Sequence, residues 1–161
     1  MSISCFLKLT NVKGEAKQKD HKEQIEIFGW NWDVQNAANS TGAGSGVGKG
    51  TPGMLVLSKK YDSASPVLAK GSADGTHFKE AVLDMTKASG SDNQQAVFLT
   101  VTLKDAFISG VRINASQTGD VFEDVILSYK DIEFNYKPQD AKGGMGGDIK
   151  FGWDVIGQES R

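Results

Sequence analysis

The sequence predicts a mainly β fold, a small β-barrel of two packed sheets with one short α-helix, and three observations carry the prediction. Side chains alternate with period two: Val97, Leu99, Val101 and Leu103 interleave with Phe98, Thr100, Thr102 and Lys104, and Ile149, Phe151, Trp153 and Val155 repeat the pattern. Alternation of this kind sends one row of side chains to a core and the other to solvent or a partner. Turn-forming clusters, Ala88-Ser89-Gly90-Ser91-Asp92-Asn93 and Gln117-Thr118-Gly119-Asp120, separate alternating runs and read as hairpin turns. One segment alone, Ser65 onwards, carries the start and stop signals of a helix.

Taken in order, strands are predicted over 3–9, 24–35, 54–61, 77–87, 96–104, 106–115, 121–130, 131–137 and 148–156. Ile3-Ser4-Cys5-Phe6-Leu7 opens the first, with Cys5 as a small apolar strand residue. Asn11 to Glu23 is a mixed-charge run that reads as a solvated connection. Within 24–35, Trp30 and Trp32 share one face with Phe28 and Val34, whereas Gly29, Asn31 and Asp33 make the other face small and polar. That contrast suits the wall of a water-filled channel. Asn36 to Gly53 is long and rich in Gly, Ser and Ala, and a binding loop that orders against a neighbouring copy is expected there. Ser65 is placed as the helix cap and Pro66 at its first turn, with Gly71 or Gly75 as the stop. The apolar phase changes between Val125/Leu127/Tyr129 and Ile132/Phe134/Tyr136, so a bulge or bend is expected near Lys130–Asp131. The prolines (Pro52, Pro66, Pro138) fall between strand candidates and blunt no edge, so barrel closure plus self-association is the expected way of managing strand edges.

With 161 residues the chain fits a single domain, residues 1–161, that needs no disulfide or metal to fold. A net charge of −2, with Lys and Asp/Glu interleaved, argues against nucleic acid as a partner. No stretch is apolar enough for membrane insertion, and the N-terminus lacks the basic and apolar regions of a cleavable signal peptide. Cytoplasmic synthesis is therefore expected, with any export by a route without such a signal.

No catalytic, cofactor or metal site is expected. Gly42-Ala43-Gly44-Ser45-Gly46-Val47-Gly48-Lys49-Gly50-Thr51 fails as a phosphate loop, because Ala43 and Gly50 stand where Gly and a hydroxyl residue are needed. A strand candidate, not a helix N-terminus, follows it. His21 and His77 are the only histidines and Cys5 the only cysteine, too few for a zinc site. The strand carboxylates Asp84, Asp124, Asp131, Glu133 and Asp154 read as solvent or interface charges. Trp30 and Trp32 leave one alternative, a monomeric carbohydrate-binding β-sandwich, although such a row more often fills a core or interface.

Several stretches together resemble one family. Lys13-Gly14-Glu15, His21 and Ile25-Glu26-Ile27 leading into Trp30-Asn31-Trp32 resemble the N-terminal pattern of haemolysin-coregulated proteins (Hcp). Lys59-Lys60-Tyr61-Asp62 before Ser65-Pro66-Val67-Leu68 resembles that family's strand-to-helix junction. Phe134-Asn135-Tyr136-Lys137-Pro138 and Phe151-Gly152-Trp153-Asp154 resemble its last two strands, and the match runs from about residue 3 to residue 155. The resemblance implies a phage tail-tube-like subunit that forms hexameric rings. Stacked rings would make the inner tube of the type VI secretion apparatus, itself secreted, with spike, sheath and effector proteins as partners and effector cargo in the ring lumen. It further implies that Gly29, Asn31 and Asp33 face the lumen, and that the loop 40–53, with Gly42, Gly44, Gly46, Gly48, Lys49 and Gly50, bridges subunits or rings. Ala16, where a hydroxyl residue is common, and Asp33, where a small one is usual, depart from the pattern. The chain ends soon after Val155, so no fused C-terminal toxin domain is expected.

Overall fold

A computed structural model describes residues 3–38, 47–89, 94–140 and 144–161. Its elements run β1 (Ile3–Leu9), β2 (Ile25–Glu26), β3 (Gly29–Asn31), β4 (Val34–Ala38), β5 (Val47–Pro52), β6 (Leu55–Lys60), α1 (Ser65–Asp74), β7 (His77–Ser89), β8 (Gln94–Asn114), β9 (Phe122–Ser128), β10 (Asp131–Tyr136), β11 (Ile149–Asp154) and β12 (Glu159–Ser160). The described residues are mainly β with one short helix, as the alternation and the helix signals predict.

The two strands expected at 96–104 and 106–115 are one, β8, which organises the fold. Its first stretch, Leu99–Lys104, pairs with β10, and its second, Phe107–Asn114, pairs with β9. β7 lies along the opposite edge. Between the stretches Asp105 adopts a left-handed φ of 50°, a kink that lets the two halves diverge. The phase change expected at Lys130–Asp131 is the matching break on the other strand, where β9 ends and β10 begins. A single ion pair, Lys130 Nζ to Asp105 Oδ2 at 2.6 Å, ties the two bends together, and His77 Nδ1 lies 3.0 Å from Asp105 Oδ1. The Lys130 ammonium and then the His77 ring hold the Asp105 carboxyl below the usual carboxylate range.

From β8 one branch of the sheet continues β10–β11–β12 and the other β9–β6–β3, while β7–β1–β2 extends the trunk. Hydrogen bonds do not close these ten strands into a barrel, in contrast to the expectation, because β9 and β10 leave the same edge of β8 in different directions. The covalent chain spans the opening instead. Ile27 donates to Cys5 O of β1 at 2.9 Å, and the next residue, Phe28, donates to Ser58 O of β6 at 2.7 Å. Both branches face one core, in which Leu7, Ile25, Leu55, Leu57, Leu83, Leu103, Leu127 and Ile132 are fully buried. β4 and β5 form a separate two-stranded sheet.

α1 packs on β8, with Leu68 and Gly71 buried. A Cβ at Gly71 would meet the Phe78 ring at 3.2 Å, so a small residue is needed there and Gly71 does not stop the helix. Gly75 stops it, at φ 67°. Ser65 is not the cap; Ala64 stands at that position, and Ser65 is inside the first turn with its hydroxyl committed elsewhere.

Candidate functional site

The branch β3–β6–β9–β8 is a four-stranded wall, and register fixes what its outward face carries. Gly29 pairs Ser58, Ser58 pairs Asp124, and Asp124 pairs Arg112. One step along, Asn31 pairs Val56, Val56 pairs Ile126, and Ile126 pairs Gly110. Side chains on paired residues point to one face, so these two rows lie side by side away from the core. Ser58 Oγ donates to Asp124 Oδ1 at 2.7 Å, while Arg112 and Asn31 are exposed. A Cβ at Gly29 would meet nothing within 4 Å, which leaves that part of the wall flat. The face is small, polar and mixed in charge, with a narrow apolar strip at Val56 and Ile126.

Gly29 and Asn31 thus share a face, as expected. Asp33 lies beyond the end of β3, which stops at Asn31. Asp33 lies at the root of the β4–β5 hairpin, where its carbonyl accepts from Gly53 N at 2.8 Å and its carboxylate accepts from Gln35 Nε2 at 3.1 Å. Ser58, Asp124 and Arg112 are members of the face that sequence reasoning did not join to Asn31. The strand candidates contained them, but cross-strand register did not follow from the sequence.

The inner face differs from expectation. Trp30 and Trp32 pack against the core, but Phe28 is 77% exposed and Val34 47%. The apolar phase slips at Phe28–Gly29, where the chain passes from β1 to β6, so Phe28 turns outward against the edge of Phe122, ring centroids 5.9 Å apart. Trp30 Nε1 donates to Met85 Sδ at 3.1 Å, and Trp32 Nε1 donates to the Tyr129 hydroxyl at 2.8 Å. Tyr129 in turn donates to Gly53 O at 2.6 Å. Burial raises the Tyr129 phenol above its usual range, with the Trp32 N–H opposing. Both indoles also contact Phe134. They are partly buried against the core with both N–H groups satisfied, the packing role that such an aromatic row more often has.

The long Gly-rich segment is partly a hairpin. Between the pairs Asn31↔Val56 and Val34↔Pro52 the register slips by one residue, so β4–β5 continues β3–β6 across one extra residue on the β5–β6 strand. Pro52 therefore ends a strand and does not lie between strands. Gly48, Lys49 and Gly50 are on β5, with Lys49 exposed; a Cβ at Gly50 would touch Val34 and Trp153 at 3.6 and 3.7 Å. Gly42, Gly44 and Gly46 lie outside the described residues.

The residues that carry the family pattern at the N-terminal loop and the helix junction are structural. The loop from Asn11 to Glu23, expected as a solvated connection, is folded: Gly14 N donates to Glu23 O at 2.7 Å and Glu23 N to Ala16 O at 2.9 Å. A Cβ on Gly14 would stand 2.4 Å from Gln24 O, so only glycine fits. Ala16 is buried, and His21 stacks on Phe6 with centroids 4.5 Å apart. His77 sits at the kink described above, against Asp105. Glu15 Oε2 accepts from Ser63 N at 2.7 Å, joining this loop to the start of α1. There Lys59, fully buried, donates to Glu123 Oε1 at 2.5 Å and to Asp62 Oδ1, Ser65 Oγ and Lys60 O, each at 2.9 Å. Ser65 Oγ also donates to Glu123 Oε1 at 2.5 Å. Cys5 is buried too, and burial, with Asp84 nearby, pushes its thiol up to about 12, which makes it unreactive at neutral pH.

Residues 6–136 match the family described as "Type VI secretion system effector, Hcp". The chain is 34% identical over 158 residues to Protein hcp1 of Pseudomonas aeruginosa, covering 96% of each. It is 24% identical over 137 residues to the Major exported protein of the same organism, covering 81% of this chain and 78% of that one. Among solved structures, Hcp1 from Salmonella typhimurium superposes with a TM-score of 0.81 at 30% identity over the full length of both chains. A structure described as a type six secretion system protein gives a TM-score of 0.91 at 27% identity, covering 99% of this chain and 100% of that one. The chain belongs to the Hcp family of type VI secretion proteins.

Proposed function

We propose that this chain is a single-domain structural subunit, without catalytic activity, that forms hexameric rings, and that these rings stack into the inner tube of a type VI secretion apparatus. The tube is itself exported, with spike, sheath and effector proteins as partners, and its lumen accommodates effector cargo. The observation that carries this reading is the wall β3–β6–β9–β8 in a chain of this family: a continuous sheet with a flat, polar, solvent-facing side built from Gly29, Asn31, Ser58, Asp124 and Arg112. A sheet closed around water needs such a face on its inner side. Asp33, at the hairpin root, belongs to the lumen rim in this reading and not to its wall. The β4–β5 hairpin, with Gly48, Lys49 and Gly50, and the segment beyond it with Gly42, Gly44 and Gly46, bridges subunits or rings.

The lumen assignment is tested with Asn31→Cys and Arg112→Cys, each coupled to biotin-maleimide; buried Cys5 stays unlabelled. Streptavidin should bind these biotins in dispersed rings and be excluded from them in assembled tubes. Undiminished binding in tubes would place this wall on the outside and sink the assignment.

A further inference from the structure

The stretch from the end of β1 through the 11–23 loop differs in charge from the rest of the chain. Five lysines and three carboxylates lie between Lys8 and Gln24, in a molecule of net charge −2. Two of those carboxylates are engaged: Glu15 accepts from Ser63 N, and Glu23 lies 3.8 Å from Lys13 Nζ. Lys8 and Lys22 are exposed and form no ion pair among the described residues. Together with Lys13 they line an open depression of about 630 Å³, whose rim also carries Asn11, Glu23 and Glu80. Glu80 is itself ion-paired to Lys104.

The backbone beneath these lysines is ordered before any partner arrives. Gly14 is locked against the Gln24 backbone, and Ala16 and His21 are buried. Asn11 and Glu23, at the two ends of the loop, hold left-handed φ values of 63° and 61°. That conformation is unfavourable for a glutamate, and it persists because Glu23 bonds across the loop with both its N–H and its carbonyl. Binding here therefore costs side-chain freedom but no ordering of the chain.

The chemistry of the depression selects the partner. Lysine offers compact point charges and no guanidinium fork, and the chain's two arginines, Arg112 and Arg161, are elsewhere, on β8 and at the last residue. The rings of the stretch, Phe6 and His21, are buried against each other, so neither presents a face for stacking on bases. Glu23 and Glu80 oppose a continuous row of phosphates, but they leave room for a protein segment whose carboxylates are spaced by neutral residues. We infer that the depression framed by Lys8, Lys13 and Lys22 is a docking site for an acidic segment of a partner protein, with the Lys8 and Lys22 ammonium groups as its main contacts. The site goes beyond the ring reading and does not depend on it, since every residue involved belongs to one copy.

The test follows fluorescence anisotropy of three dye-labelled probes as the purified whole chain is titrated in at low salt. The probes are a short peptide alternating Glu and Ser, the same peptide with Gln for Glu, and a single-stranded DNA of equal length. Saturable binding of the Glu peptide, weakened by added salt and absent for the Gln peptide, is expected. Lys8→Glu/Lys22→Glu should weaken that binding about tenfold or more, because two attractions become repulsions. Lys49→Glu/Lys150→Glu reverses as much charge on β5 and β11 and should weaken it about twofold at most, the distant charges being screened. All four lysines are exposed, so both pairs should melt like the parent. Lys8→Gln/Lys22→Gln replaces the first pair if its melting temperature falls, with a smaller loss in the same direction expected. Equal losses in the two reversed pairs, DNA bound as tightly as the Glu peptide, or no saturable binding of the Glu peptide would each overturn the site. None of these results bears on ring formation.

Discussion

Replacing Lys59 with methionine should cost more stability than any other single change at the β6–α1 junction. Lys59 is 0% exposed and Glu123, its direct cross-strand partner, is 1% exposed. The ammonium has three N–H donors and four acceptors within reach, two of them carboxylates. Desolvating such a pair consumes most of its Coulomb attraction, so the intact network is not a large net source of stability. Breaking it on one side is a different matter, because Glu123 would remain buried with the Ser65 hydroxyl as its remaining hydrogen-bond donor among the described residues, its second oxygen already lacking one. Removing one member of a buried pair costs about 3–5 kcal/mol, and Lys59→Met should fall in that range. The double variant Lys59→Met/Glu123→Leu removes the stranded charge and should recover at least about half of the loss. Urea unfolding followed by tryptophan fluorescence measures both, provided the slope with denaturant is unchanged. A cost of about 1 kcal/mol or less for Lys59→Met, or a double variant worse than the single, would refute the claim that the network is dry and mutually dependent.

Three further outcomes follow from local geometry. Gly14→Ala forces a Cβ into the Gln24 backbone at 2.4 Å and should cost about 2 kcal/mol or more, with the 11–23 loop becoming open to proteolysis; an unchanged melting curve would contradict the close approach. Gly50→Ala meets only ordinary contacts with Val34 and Trp153, so it should be within about 0.5 kcal/mol of the parent in the same melts. Asp105 has a lowered folded pKa, so its contribution is fully present above the unfolded value, about 3.9, and is lost as pH falls through the folded value. Asp105→Asn, which tolerates the left-handed φ, should therefore be less stable than the parent near neutrality, with the gap starting to narrow as pH falls below about 4 and closing as the folded carboxylate takes up its proton; a difference that stays constant as the folded carboxylate is protonated would show that the charge is not responsible.

How much of this was legible in the sequence differs element by element. The period-two runs located nearly every strand, because alternation is a local property of a half-buried sheet. Pro66 and Gly75 marked the helix for equally local reasons. What stayed hidden depends on residues far apart. Nothing in Lys104-Asp105-Ala106 announces the kink that fuses two predicted strands into β8, because the bend is held by Lys130 and His77. Lys59 reads as a solvated charge until Glu123, on another strand, is brought opposite it. The 11–23 loop reads as polar, yet Ala16 and His21 are buried in it by contacts with Phe6 and the Gln24 backbone. Phe28 leaves the face that alternation gives it because the strand changes partners there, from β1 to β6.

The wall shows the same division. Gly29 and Asn31 were readable as small, polar members of one face, since they lie two residues apart on one strand. Ser58, Asp124 and Arg112 join them only through register, which a single sequence does not encode in any local pattern.

Native mass spectrometry of the purified protein, paired with negative-stain images of the same sample, tests most directly whether this chain forms rings. A hexameric mass with open, sixfold rings is the predicted result. A strict monomer at micromolar concentration, with no rings in the images, would contradict it.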